Sequence, residues 1–135
     1  MSCILRIAGE SLGIDSFLLQ NALRVDRSWR KGDPRILKNR LHEHSGANFV
    51  VSDADLDDFA GQLADACAYL ELHALMIAKL AAFPGVQEAY LDFAVALNDG
   101  FVSQTSYLPA AFVRAAGVAG IGIAISHYAC REDDA

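Results

Sequence analysis

Residues 28–35, Ser-Trp-Arg-Lys-Gly-Asp-Pro-Arg, set an indole among cations and then break the chain at Gly32-Asp33-Pro34. Such a composition can hold an anion. A guanidinium offers paired N–H donors to a carboxylate or phosphate, a glycine lets backbone approach, and an indole presents a face for stacking. Trp29, Arg30, Lys31, Gly32 and Arg35 are therefore the first ligand-binding candidates. The plainer reading is a polar loop pinned by Trp29, with its cations paired to acids elsewhere, and residue types alone favour it. The stretch lacks the G-x-x-x-x-G-K-[ST] spacing of a nucleotide-phosphate loop.

Other reactive side chains form weaker patterns. His42 and His44 would point the same way in an extended chain and could begin a metal site, but no third ligand is in view. His127 and Cys130 invite a thiol–imidazole reading, which requires contact and an electropositive setting. No G-x-S-x-G elbow serves the serines. Asp53, Asp55, Asp57 and Asp58 lack the Gly and closing Glu of a calcium loop and fit a helix start, where the dipole favours anions. Ser52 and Asp55 form the capping-box pattern there. Cys3, Cys67 and Cys130 are odd in number and far apart, which fits thiols in a reducing cytoplasm better than a disulfide frame or zinc knuckle. No cofactor or metal is expected.

The elements that would position these residues come from 135 residues, a length suited to one domain (1–135). Hydrophobic residues make up 53%, enough to fill a core. The net charge of −6 disfavours nucleic acid as a partner, and no run reaches the roughly 20 apolar residues of a membrane helix. The charge is unevenly spread. Residues 24–40 hold seven Lys/Arg against two Asp, while the remainder holds four against fifteen acids. The basic residues thus form one island on an acidic chain.

Alternation predicts strands over 3–7, 47–51, 87–97 and 121–126. Helical spacing predicts helices over 14–23, 56–83 with a kink near Glu71, and 108–116. Asn98-Asp99-Gly100 predicts a hairpin turn, with 101–107 returning as an edge strand. The Ile-rich last strand is expected in the middle of the sheet, with its small residues facing a packed helix. Residues 24–45 show no period and read as a long loop. The order predicts an α+β fold: one twisted, mostly antiparallel sheet of four to five strands with helices on one face, a ferredoxin-like variant.

Five stretches read together: "CILRIAGESLGIDSFL", "RSWRKGDPR", "SGANFVVSDAD", "FPGVQEAYLDF" and "GIGIAISHY". In this order they resemble the bacterial family called domain of unknown function 4279, small domains with a W/F-R-K-G-[DE] loop after the first helix. A Ser-Gly step precedes the second strand in that family and S-x-Y ends the last. The chain departs at Leu23-Arg24-Val25, where many members carry Gly-Ile-x-Pro, and after Phe93, where a Gly often follows. The resemblance implies a shared fold and no particular reaction. It adds Ser126 and Tyr128 to the ligand-binding candidates, and marks Ser45, Gly46 and Asp92 beside them.

Two functions fit. One is a non-enzymatic binding or interaction module, monomeric or homodimeric, using a protein partner at the 101–107 edge. The other is a small-anion site, or a small enzyme, at the basic loop.

Overall fold

The computed structural model describes residues 1–36 and 39–129. The elements run β1 (Cys3–Gly9), α1 (Ile14–Gln20), β2 (Val25–Trp29), β3 (Ser45–Ser52), α2 (Phe59–Ala81), β4 (Glu88–Leu97), α3 (Ala110–Val118) and β5 (Gly122–Ala129). The five strands make one sheet in the order β2-β3-β1-β4-β5. All neighbours are antiparallel except β4 and β5, which are parallel. The α+β plan and the mostly antiparallel sheet are as predicted. β1, antiparallel to both of its neighbours in the order β2-β3-β1-β4, follows the ferredoxin-like plan, and the departure is the added α3 and β5, which lies parallel beside β4.

Alternation along the strands assigns the two faces. Leu5 and Ile7 of β1, Ala47 and Phe49 of β3, and Leu91, Phe93 and Val95 of β4 are buried under the helices. Phe17 of α1 meets Phe49 and Phe83 edge-on or tilted, and Phe112 of α3 meets Phe93. Each such side chain contributes roughly 1.5–3 kcal/mol by leaving water. The alternate residues, among them Arg6, Asn48, Tyr90 and Asp92, stand on the other face, opposite the helices.

α2 keeps its predicted break. His73 has non-helical angles (φ −119°, ψ 15°), two residues past Glu71. Its start differs from the capping-box prediction. Ser52 ends β3, and its hydroxyl lies 2.6 Å from Asp65 Oδ2 and accepts from the amide of Ala54. Asp58 is the true cap, accepting from Gly61 N at 2.9 Å.

Three other expectations are corrected. Residues 101–107 form no strand, because β1 and β5 already occupy both sides of β4. Gln104 instead folds back, donating to Ala96 O and accepting from Asn98 N. β5 is an edge strand, not a central one, and its Ile123 and Ile125 pack under the helices while Gly122, Ala124 and Ser126 take the open face. Finally, β2 lies inside the segment read as loop. Only Arg27 and Trp29 share the open face, because the register shifts between Val25 and Arg27 and turns Val25 to the core, and the pattern is too short and too charged to stand out.

Candidate functional site

Trp29 ends β2 opposite Gly46 of β3, which in turn lies opposite Ala8 of β1. The ring is 5% exposed although it stands on the open face. Gly46 is what admits it: a Cβ there would lie 2.7 Å from Trp29 Cζ2 and 2.8 Å from the Ile7 carbonyl oxygen. The Arg6 guanidinium lies 4.7 Å from the indole centroid. The His42 imidazole stacks on the indole with centroids 5.2 Å apart and planes 21° from parallel. Two partners therefore already engage the indole that the sequence offered as a stacking platform.

His42 is delivered by the segment after β2, in which residues 32–35 and 40–42 pair as a narrow antiparallel ribbon. Gly32 N donates to His42 O, His42 N to Asp33 O, and Arg35 N to Arg40 O, each at 2.8 Å, around a Pro34–Leu41 bridge. Gly32 turns the chain into this ribbon at φ +92°, an angle that disfavours other residues. The Asp33 carboxylate accepts from Arg30 N and closes the turn.

Beneath the ribbon lies a recess of about 270 Å³. Arg6 of β1, Arg27 of β2 and Arg35 of the ribbon line it together with Trp29, His42 and Asn48. Arg27 and Asn48 are register partners across β2 and β3, and Asn48 is opposite Arg6 across β3 and β1. Trp29 Nε1, His42 Nε2 and Asn48 Oδ1 are buried without a hydrogen-bond partner among the described residues. Buried polar atoms are rarely left so, since each costs about 1–3 kcal/mol. Arg27 and Arg35 have no ion-pair partner among the described residues, and Arg6 has only Glu88 at 4.0 Å. Burial, followed by Arg35, Arg27 and Arg6, holds the His42 pKa below its ordinary value, with Asp33 opposing. The recess therefore concentrates positive potential and hydrogen-bonding capacity.

The other cations of the opening motif face away from it. Arg30 forms a two-point pair with Asp15 of α1, with Nη1 2.8 Å from Oδ2. That hydrogen bond holds Asp15 below the usual carboxylate range and raises Arg30. Lys31 Nζ reaches Glu10 Oε1 at 3.2 Å, and its backbone N donates to Ser45 Oγ. Ser126 donates to Asp92 Oδ1 at 2.7 Å, and Tyr128 is exposed. Both lie on β5, four strand spacings or roughly 19 Å from β2, so the fold does not bring them to Trp29. Of the predicted site residues, Trp29 and Arg35 line the recess, Gly32 shapes its cover, and Arg30, Lys31, Ser126 and Tyr128 lie outside it.

Sequence reasoning missed Arg6, Arg27 and Asn48, and weighed His42 only as a metal ligand. The one available signal was the Arg27-Trp29 alternation, short and interrupted by the register shift at Val25. Cys130, paired in the sequence reading with His127, falls outside the described residues. No protein-family model matches the chain, and neither a curated protein nor a solved structure does.

Proposed function

We propose that the protein is a non-enzymatic binding module for a small carboxylate- or phosphate-bearing ligand, held in the recess of Arg6, Arg27, Arg35, Trp29, His42 and Asn48. The observation that carries this reading is the coincidence of three guanidinium groups with three orphaned buried polar atoms in one cavity. Arg27 and Arg35 supply charge-assisted hydrogen bonds to the anionic group, and Trp29 Nε1 donates a further one. Asn48 Oδ1 accepts from a hydroxyl or amine of the same ligand. Arg6, held against the indole, contributes field and is fixed before the ligand arrives. Membership of the domain of unknown function 4279 family belongs to this proposal, and it supplies no reaction.

The test is a thermal-shift panel of small carboxylates and phosphate esters on wild type, Arg35→Ala and Arg30→Ala. A ligand at 100 times its Kd adds about 2.7 kcal/mol, an upward shift of several degrees in Tm. Wild type and Arg30→Ala should respond alike, and the shift of Arg35→Ala should fall by about half or more. A panel that stabilises nothing, or an Arg35→Ala protein that responds like wild type, defeats the reading.

A further inference from the structure

The helical layer is apolar on both of its sides. α2 spans 23 residues, of which Asp65, Glu71 and Lys79 are the only Asp, Glu, Lys or Arg, and α3 carries Arg114 alone. A helix that shields a sheet ordinarily turns a charged face to water, and one that is apolar all round is ordinarily buried all round. Here the inner faces cover the sheet through Ala66, Leu70, Ile77, Leu80, Phe112 and Ala116. The outer faces expose Leu72 at 77%, Leu75 at 90% and Val118 at 81%. Contiguous exposed apolar surface of this kind marks an association site.

Between α2 and α3 the outer surface opens into a groove of about 480 Å³, floored by small side chains including Ala74, Ala78 and Ala115. Leu75 stands at its border, so the same surface offers both a projecting side chain and a hollow of small ones. Glu71 and Arg114 also line the groove, from different helices, and neither has an ion-pair partner among the described residues. A two-fold axis needs a surface complementary to itself. This one is: with a knob, a hole, an acid and a base on the same patch, each copy supplies what the other lacks.

We propose that the α2–α3 face is a homodimer interface, with a second copy of this chain as its occupant. Leu75 of each copy seats in the groove of the other, and Glu71 of each copy pairs with Arg114 of the other. The assembly is a four-layer sandwich, sheet–helix–helix–sheet, which leaves both open sheet faces outward. It does not depend on the anion-binding reading.

The experiment is sedimentation equilibrium of the full chain, with circular dichroism as the check on folding. Wild type should show twice the chain mass. Leu75→Glu changes a side chain 90% exposed in the single copy, so it should stay folded and sediment as a monomer. Glu71→Arg and Arg114→Glu should each weaken self-association at least tenfold. Mixed together they should associate, because each cross-pair is again opposite in sign. A wild type that stays monomeric at every concentration overturns the proposal. So does a dimer that Leu75→Glu leaves intact, or a mixture that associates no better than either variant alone.

Discussion

Two sets of cations flank Trp29 and fold into opposite electrostatic states. On the α1 side, Arg30 and Lys31 are met by Asp15 of α1 and Glu10, just after β1. On the sheet side, Arg27 and Arg35 line the recess with Arg6, an indole, an imidazole and an amide, and neither forms an ion pair among the described residues. All but Arg6 belong to the one basic island of the sequence, and a charge count treats them alike. The fold separates them by strand parity and turn geometry. Trp29 and Arg27 point to the open face, whereas Arg30 follows the turn toward α1. An excess of like charge along a chain therefore says little about which cations are available; the acids that fold next to them decide it.

The sharpest way to break this contrast is to remove the wall that the sheet-side set shares. Trp29→Ala should cost about 3–5 kcal/mol of stability in denaturant titration, through lost burial and the cavity it leaves. Gly46→Ala should also lower the midpoint, because the new methyl meets the Trp29 ring and the Ile7 carbonyl at once. A Gly46→Ala protein as stable as wild type would show that the indole is not seated as described. Next in size, Arg35→Ala should weaken anion binding by about ten- to a hundredfold, the worth of one charge-assisted hydrogen bond, with little change in unfolding. Isothermal titration calorimetry reads the affinity directly.

A smaller effect concerns His42. Its folded pKa lies below the ordinary 6.5, so the unfolded chain takes the proton first as pH falls. The associated stability is full above about pH 6.5 and is lost as pH falls through the folded value. A bound anion offsets the three arginines and should raise the His42 pKa, so binding should tighten over the same acidic window. An NMR titration of the imidazole with and without ligand checks both signs, and a His42 pKa that ligand leaves unmoved would separate the imidazole from the site. The smallest effect is expected on the other side: Arg30→Ala breaks an exposed pair of little worth, and should leave both Tm and affinity near wild type. A large loss of binding there would erase the contrast altogether.

Much of the fold was legible because its signals are local. The alternation of Leu91, Phe93 and Val95 and the helical spacing around Ala66 and Leu70 each follow from one element burying one face. Long-range competition hid the rest. The turn at Asn98-Asp99-Gly100 is a sound hairpin signal, but β5 returns from beyond α3 to take the place beside β4. The same insertion put the Ile-rich strand at an edge. The site was half legible for a related reason. Trp29 and Arg35 stand out by type within eight residues, whereas Arg6 and Asn48 join them only through the register of β1 and β3. No local pattern encodes that register.

Trp29 is the only tryptophan of the chain, and this gives its seat a spectroscopic consequence. Its emission reports one place, the ribbon-covered edge of the sheet at β2, and is silent about the helical layer. A protonated imidazole stacked on an indole quenches it, so the emission should dim as His42 takes up its proton and recover when the ribbon lifts. Far-ultraviolet dichroism is dominated by α2. Followed side by side during unfolding, the two signals compare the edge with the helices. If the transitions coincide, the recess is as durable as the core; if the fluorescence changes first, the β2 edge opens as a unit of its own.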